Sequence, residues 1–141
     1  MDIEFLAIAD AAEVANQKLY MLGGCWDVWR SPAYPSPTRM AIALAIKVEW
    51  DETNQRHPVE LSIVDEDGNT VIPDIKAEVE VGRPPGIAAG VSQRALLAIN
   101  VSFPLPRPGR YEVRALVGQD HVERRVSFQA VLSGGPNMQV R

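Results

Sequence analysis

The sequence predicts an all-β protein, an antiparallel β-sandwich of eight or nine strands with little helix. Three features point there. Large apolar residues recur at every second position, most clearly at Met40, Ile42, Leu44, Ile46, Val48 and Trp50. Similar rows return at short intervals, separated by turn residues. The 11 prolines and 10 glycines are spread along the chain, as many short connections require.

The stretch from Thr38 to Trp50 is the expected centre of the sheet. A spacing of two puts its six large residues on one face of a strand. A helical face would mix them with Lys47 and Glu49. Burying six such side chains is worth on the order of 10 kcal/mol before entropy is counted. The intervening Ala41, Ala43 and Ala45 make a small, flat face that another layer can approach closely, and Lys47 and Glu49 take that face into solvent.

Taken in order, Ile3, Phe5, Ala7 and Ala9 alternate with Glu4, Leu6, Ile8 and Asp10 as a first strand. The alanine- and glutamate-containing run from Asp10 to Asn16 predicts a turn of helix. Lys18 to Leu22 is a second strand, broken or bulged at Gly23-Gly24, and Cys25 to Arg30 is extended. Ser31 to Pro37, with three prolines, is a loop. After the central strand, Asp51 to Pro58 is a polar loop and Val59, Leu61 and Ile63 begin a further strand. Asp67-Gly68 turns it into a return strand, Thr70 to Val81, which Pro73 confines to an edge or a bulge. Gly82 to Gly90 is a loop, Ala95 to Phe103 a strand, and Pro104 to Gly109 a proline-rich connection. Tyr111, Val113, Ala115 and Val117 form one row, and Val126, Phe128 and Ala130 another, beyond a turn at Gly118 to Asp120.

The domain is expected over residues 1–133, with a flexible tail over 134–141. Apolar content of 46% and charged content of 23% describe an ordinary globular protein. No apolar run approaches a membrane span, and Asp2 and Glu4 stand where an export signal would be basic. One cysteine excludes an internal disulfide and fits a reducing, cytoplasmic setting. A net charge of −4 argues against a nucleic-acid partner. From Arg83 to Arg125 there are seven arginines against Glu112, Asp120 and Glu123. This asymmetry reads either as wet strand faces or as the basic half of a self-associating pair.

The segment Phe103 to Tyr111 resembles the end of an immunoglobulin-like sandwich. There a Gly-x-Tyr corner, here Gly109 and Tyr111, lets the tyrosine hydroxyl bond the preceding connection. The immunoglobulin cysteine pair is absent, so the resemblance implies architecture only. The chain also resembles a family of small uncharacterised bacterial proteins. The matching pieces are Ala9-Asp10-Ala11-Ala12, Lys18-Leu19-Tyr20 with Leu22-Gly23-Gly24, and Trp26-Asp27. Sparser echoes are Trp50-x-Glu52-Thr53-Asn54, Asp65-Glu66-Asp67-Gly68 and Gly109-x-Tyr111. That resemblance implies a cytoplasmic sandwich without an assigned activity, in which glycine is also at home at position 25.

Catalytic signatures are weak. Cys25 is the only thiol, no Gly-x-Ser-x-Gly elbow exists, and a cysteine in an extended aromatic stretch is expected to be buried and inert. Asp65, Asp67 and Asn69 fall at positions 1, 3 and 5 of a calcium loop, but glycine comes at position 4 and Lys76 stands at position 12, so an acidic hairpin is expected. Gly82 to Gly86 lacks the Lys-Ser/Thr of a phosphate loop. If strands run the length of the sandwich, Asp10 to Gln17, Asp51 to His57, Gly82 to Gln93 and Gly118 to His121 share one end. The loop after Trp29, the Asp67-Gly68 turn and Pro104 to Gly109 share the other. If Gly23-Gly24 separates two full strands, the Asp10 to Gln17 assignment flips and the later loops keep their grouping.

Two functions follow from this layout. The leading one is a non-enzymatic protein-interaction or scaffold module, without cofactor, that binds a protein partner or a second copy. Its candidate residues are Trp29, Tyr34, Pro35, Pro106 and Arg107, an aromatic and proline platform, with exposed sheet edges as a second route. The alternative is a small metal-dependent enzyme or hydrolase using Glu52, His57 and His121.

Overall fold

A computed structural model describes residues 1–133; the expected tail at 134–141 lies outside the described residues. The described residues form nine strands: β1 (Asp2–Ala15), β2 (Lys18–Gly24), β3 (Val28–Ser31), β4 (Ser36–Val48), β5 (Arg56–Asp65), β6 (Ile75–Glu80), β7 (Gln93–Leu105), β8 (Gly109–Val117) and β9 (Val122–Leu132). The only helical element among the described residues is a 3-10 turn, Trp50–Glu52. The strands make two sheets, β2-β1-β4-β7 and β3-β9-β8-β5-β6. The all-β sandwich is therefore as expected. One pair departs from the antiparallel rule: β3 runs parallel to β9, Val28 opposite Gln129.

The alternating rows become the core. Met40, Ile42, Leu44, Ile46 and Val48 of β4 pack with Val59, Leu61 and Ile63 of β5 and with Tyr111, Val113, Ala115 and Val117 of β8. β4 is central to its sheet, paired to β1 on one side and β7 on the other. Its alanine face is buried as well. Ala41 and Ala43 gather with Ala9 and Ala12, and with Phe5, Leu19, Met21 and Ala98 around them. β1 leaves β4 after Ala9, and the β1–β2 hairpin bends over this small face toward β7. Asn100 of β7 reaches Ala12 of β1, accepting from its N–H at 3.3 Å and donating to its carbonyl at 2.9 Å. A larger residue than alanine on β4 would hold the two apart.

Four local expectations are corrected. Asp10 to Asn16 is strand rather than helix, because its backbone pairs with β2, a long-range partner that outweighs propensity. The β1–β2 turn is built on Asn16 and Gln17, both at positive φ (50° and 61°), the geometry of a tight two-residue hairpin. In β1 the simple alternation fails, because the register slips between Ile3 and Phe5. Ile3, Leu6 and Ile8 therefore join the inter-sheet core, while Phe5 and Ala9 lie with the outer cluster. Finally, β5 begins at Arg56 and β7 ends at Leu105, so Pro58 and Pro104 lie within strands. The return strand after Gly68 shrinks to Ile75–Glu80, with Pro73 in the bend before it.

Candidate functional site

The sandwich is open along one side, where β7, the edge of the first sheet, runs beside β6, the edge of the second. The two edges differ. β6 is short and bears Lys76, Glu78 and Glu80, and charges on an edge discourage a further strand. β3 spans only Val28–Ser31, and β2 ends in Gly23-Gly24. β7 carries its charge and its proline only near its ends, at Arg94 and Pro104, and the β1–β2 hairpin packs on its outer face through Ala12 and Asn100. β7 pairs with β4 from Gln93 to Leu105 without a register shift. Ala95 to Phe103 carries no charged residue, no proline and no glycine. Among the described residues, no backbone hydrogen bond outside the β4 ladder is made by β7.

Leu97, Ile99 and Val101 of β7, and Val71, Ile72, Ile75 and Ala77 on or before β6, are half-buried against the core. At the Gly82 end the opening widens to a groove of about 1100 Å³. Its walls carry Glu4, Glu78 and Glu80 against Lys47, Arg83 and Arg94, so the charges balance. Arg94 is held on Glu4 at 3.0 Å, and the Gln93 side chain donates to the Gly82 carbonyl at 2.7 Å. Arg83 locks the loop entering the groove. Its guanidinium lies 4.0 Å from the Trp50 ring centroid, and it donates to Thr53 Oγ1 at 2.7 Å and the Trp50 carbonyl at 3.0 Å.

The expected grouping holds for the later loops at both ends, but not for Asp10 to Gln17, which is the second half of β1 and its turn. The start of β1 lies at the Asp51 end. Ser36 pairs with Leu105, bringing the Pro35 and Pro106 connections together, and Arg107 bridges to Asp65 (3.1 Å) and Asp67 (3.5 Å) of the acidic hairpin. Two of the platform residues, Trp29 and Tyr34, are committed inside the protein, however. Trp29 Nε1 donates to Ser36 Oγ at 3.2 Å, and the Tyr34 hydroxyl donates to the Val131 carbonyl at 2.8 Å. Trp29 packs on Trp26, and Trp26 on Phe128, which stacks on Tyr111. Both aromatic side chains are half-buried, while Pro35, Pro106 and Arg107 are exposed. A contiguous exposed aromatic surface is not what these residues form.

The opposite end does not bring Glu52, His57 and His121 together as a metal site. Among the described residues no three His, Cys, Asp or Glu side chains are placed to hold an ion. His57 is buried with Nε2 2.6 Å from the Glu52 carbonyl. A carbonyl only accepts, so Nε2 carries the proton and has no lone pair for a ligand. Burial alone pushes the Glu52 carboxyl up. The Met1 amine at 2.9 Å and the Glu49 N–H outweigh that and hold it below its ordinary range. His121 sits exposed in the β8–β9 turn with φ 52°. Cys25 is exposed, which corrects the expected buried thiol, and its φ of 63° is the left-handed conformation in which glycine is at home.

The missed feature was the β7 edge. Its sign in the sequence is the charge-free run from Ala95 to Phe103, but the run alone does not say which side of it lacks a partner.

Residues 4–130 match the model described as a family of unknown function, DUF6941. No curated protein matches the chain. Among solved structures, the CARDB domain of the PF1109 protein from Pyrococcus furiosus, crystallised in complex with di-metal ions, is similar at 12% identity and a TM-score of 0.44, over 93% of each chain. A family 123 glycoside hydrolase from Clostridium perfringens aligns at 14% identity and a TM-score of 0.33, over 91% of this chain and 26% of the enzyme. Likenesses this distant transfer neither a ligand nor an activity. No helix among the described residues is long and apolar enough to cross a membrane.

Proposed function

The chain belongs to the DUF6941 family of unknown function, and we propose that it works as a non-enzymatic protein-interaction module whose binding element is the open edge of β7. The observation that carries this reading is the thirteen-residue β7 ladder without a bulge, whose charge-free centre has no second neighbour among the described residues. Backbone N–H and C=O groups along such an edge supply affinity to an added strand. The half-buried Leu97, Ile99 and Val101 of β7 supply side-chain contacts.

A photo-crosslinking residue at Ser102, exposed on β7, tests it against the same residue at Glu123 on β9. Protein adducts are expected from position 102 and should disappear when a proline blocks the β7 edge. Adducts from both positions, insensitive to that proline, would sink the reading.

A further inference from the structure

We infer that the strand added to β7 is β7 of a second copy, paired antiparallel about a two-fold axis near Ile99, so that two four-stranded sheets become one. The inference rests on the interaction reading above and names its partner.

Self-pairing makes a demand that pairing with a foreign strand does not: every residue must tolerate the same sequence running the other way. β7 meets it. With the axis at Ile99, Leu97 faces the partner's Val101 and Ala95 faces the partner's Phe103 on the inner side. On the outer side Leu96 faces the partner's Ser102 and Ala98 faces the partner's Asn100. No charge meets its like anywhere from Ala95 to Phe103. On β6, by contrast, Glu78 and Glu80 recur on one face.

Depth is the second argument. The opening is two layers thick, with Gln93 to Leu97 of β7 on one lip and Glu78 to Val81, at the end of β6, on the other. A lone peptide strand would extend the β7 layer and leave the other lip wet. A second copy presents the same two layers, so one rotation sets β7 on β7 and lip on lip. The electrostatics allow it. The chain is net −4, but the groove beside this edge carries three acidic and three basic side chains, so the approaching faces do not repel as whole molecules would.

Sedimentation and amide hydrogen exchange on the full chain decide the matter together. Alternate residues of an edge strand aim N–H outward, so one of Val101→Pro and Ser102→Pro should spare the ladder to β4. Circular dichroism shows which one. The expected result is a wild-type mass twice the 15.5 kDa chain. Slow exchange at the outward β7 amides should be lost on dilution, and the folded proline variant should sediment as a monomer. A dimer whose β7 amides exchange freely overturns the inference, because another surface joins the copies. A monomer at all concentrations with freely exchanging β7 amides also overturns it, while leaving the edge open to a different strand. A monomer with protected β7 amides overturns both this inference and the proposed function, because something within the chain already covers the edge.

Discussion

Tyr111 and Arg107 close the β7–β8 corner on each other. The tyrosine hydroxyl donates to the Arg107 carbonyl at 2.6 Å and accepts from the Arg107 N–H at 3.4 Å. Burial pushes the Tyr111 phenol up, so it remains a donor well into the alkaline range. The same arginine's guanidinium reaches the acidic hairpin. One residue thus ties the corner to β5. Tyr111→Phe keeps the ring stacked on Phe128 and deletes only the hydroxyl. It should cost about 1–2 kcal/mol, read as a lower urea midpoint with an unchanged slope. An unchanged midpoint would show that the corner does not depend on this bond.

Two carboxyls give the fold an acid limit. The Asn69 N–H does most to hold Asp65 below its ordinary range. The Asp67 N–H and Arg107 help, against some desolvation. Glu52 is lowered in spite of its burial, as described above. A group whose folded pKa lies below its unfolded one stabilises fully above the unfolded value and loses that contribution as pH falls through the folded value. The thermal midpoint should therefore hold steady near neutrality and begin to fall below about pH 4.5, the ordinary value for a glutamate. Asp65→Asn and Glu52→Gln should each flatten that fall. Identical acid slopes in wild type and both variants would refute the assignment.

Arg83 serves as a planar fork rather than a point charge, stacked on Trp50 and bonded twice. Lysine cannot reproduce that geometry. Arg83→Lys should lose roughly 1 kcal/mol and make the Gly82 to Gly90 loop a preferred protease site, with a change in tryptophan emission. Wild-type proteolysis in the variant would mean that charge alone suffices.

Asn100 tests the bend of the β1–β2 hairpin. Asn100→Ala removes both bonds to Ala12 and should cost about 1–2 kcal/mol. Asn100→Asp should do worse at neutral pH than at acid pH, since a carboxylate repels the Ala12 carbonyl and a protonated one can donate to it. Equal stability of the two variants across pH would contradict this geometry.

Cys25 offers a gain instead of a loss. At φ 63° a side chain is strained, so Cys25→Gly should be neutral or stabilising by a few tenths of a kcal/mol, whereas Cys25→Val should lose about 1 kcal/mol or more. Thermal melts of the two variants check this. Two residues earlier the same conformation belongs to Gly23, where a β-carbon would also collide with the Asp10 carboxylate.

The sequence was most legible where one side chain row decides the outcome. Met40 to Val48 and Tyr111 to Val117 can only be strands with one heavy face, and both lie in the core. Gly109-x-Tyr111 foretold its own hydrogen bond because corner and partner are four residues apart. What failed was non-local. Asp10 to Asn16 has helical local preferences, and only pairing with β2 makes it strand. Trp29 and Tyr34 looked available because their partners, Ser36 and Val131, could not be assigned before the loop and β9 were placed. The β7 edge stayed hidden for the same reason: a missing neighbour has no residues of its own to read.

The parallel pairing of β3 with β9 carries a cost in time. Val28 meets Gln129 only after about a hundred intervening residues have been synthesised. On the ribosome, Trp29 and its neighbours therefore wait unpaired while β1, β4 and β7 can already assemble into a sheet. Contacts closed over such long separations are slow to form. A nascent chain cut short before Val122 would therefore lack β9 and leave β3 without its partner strand.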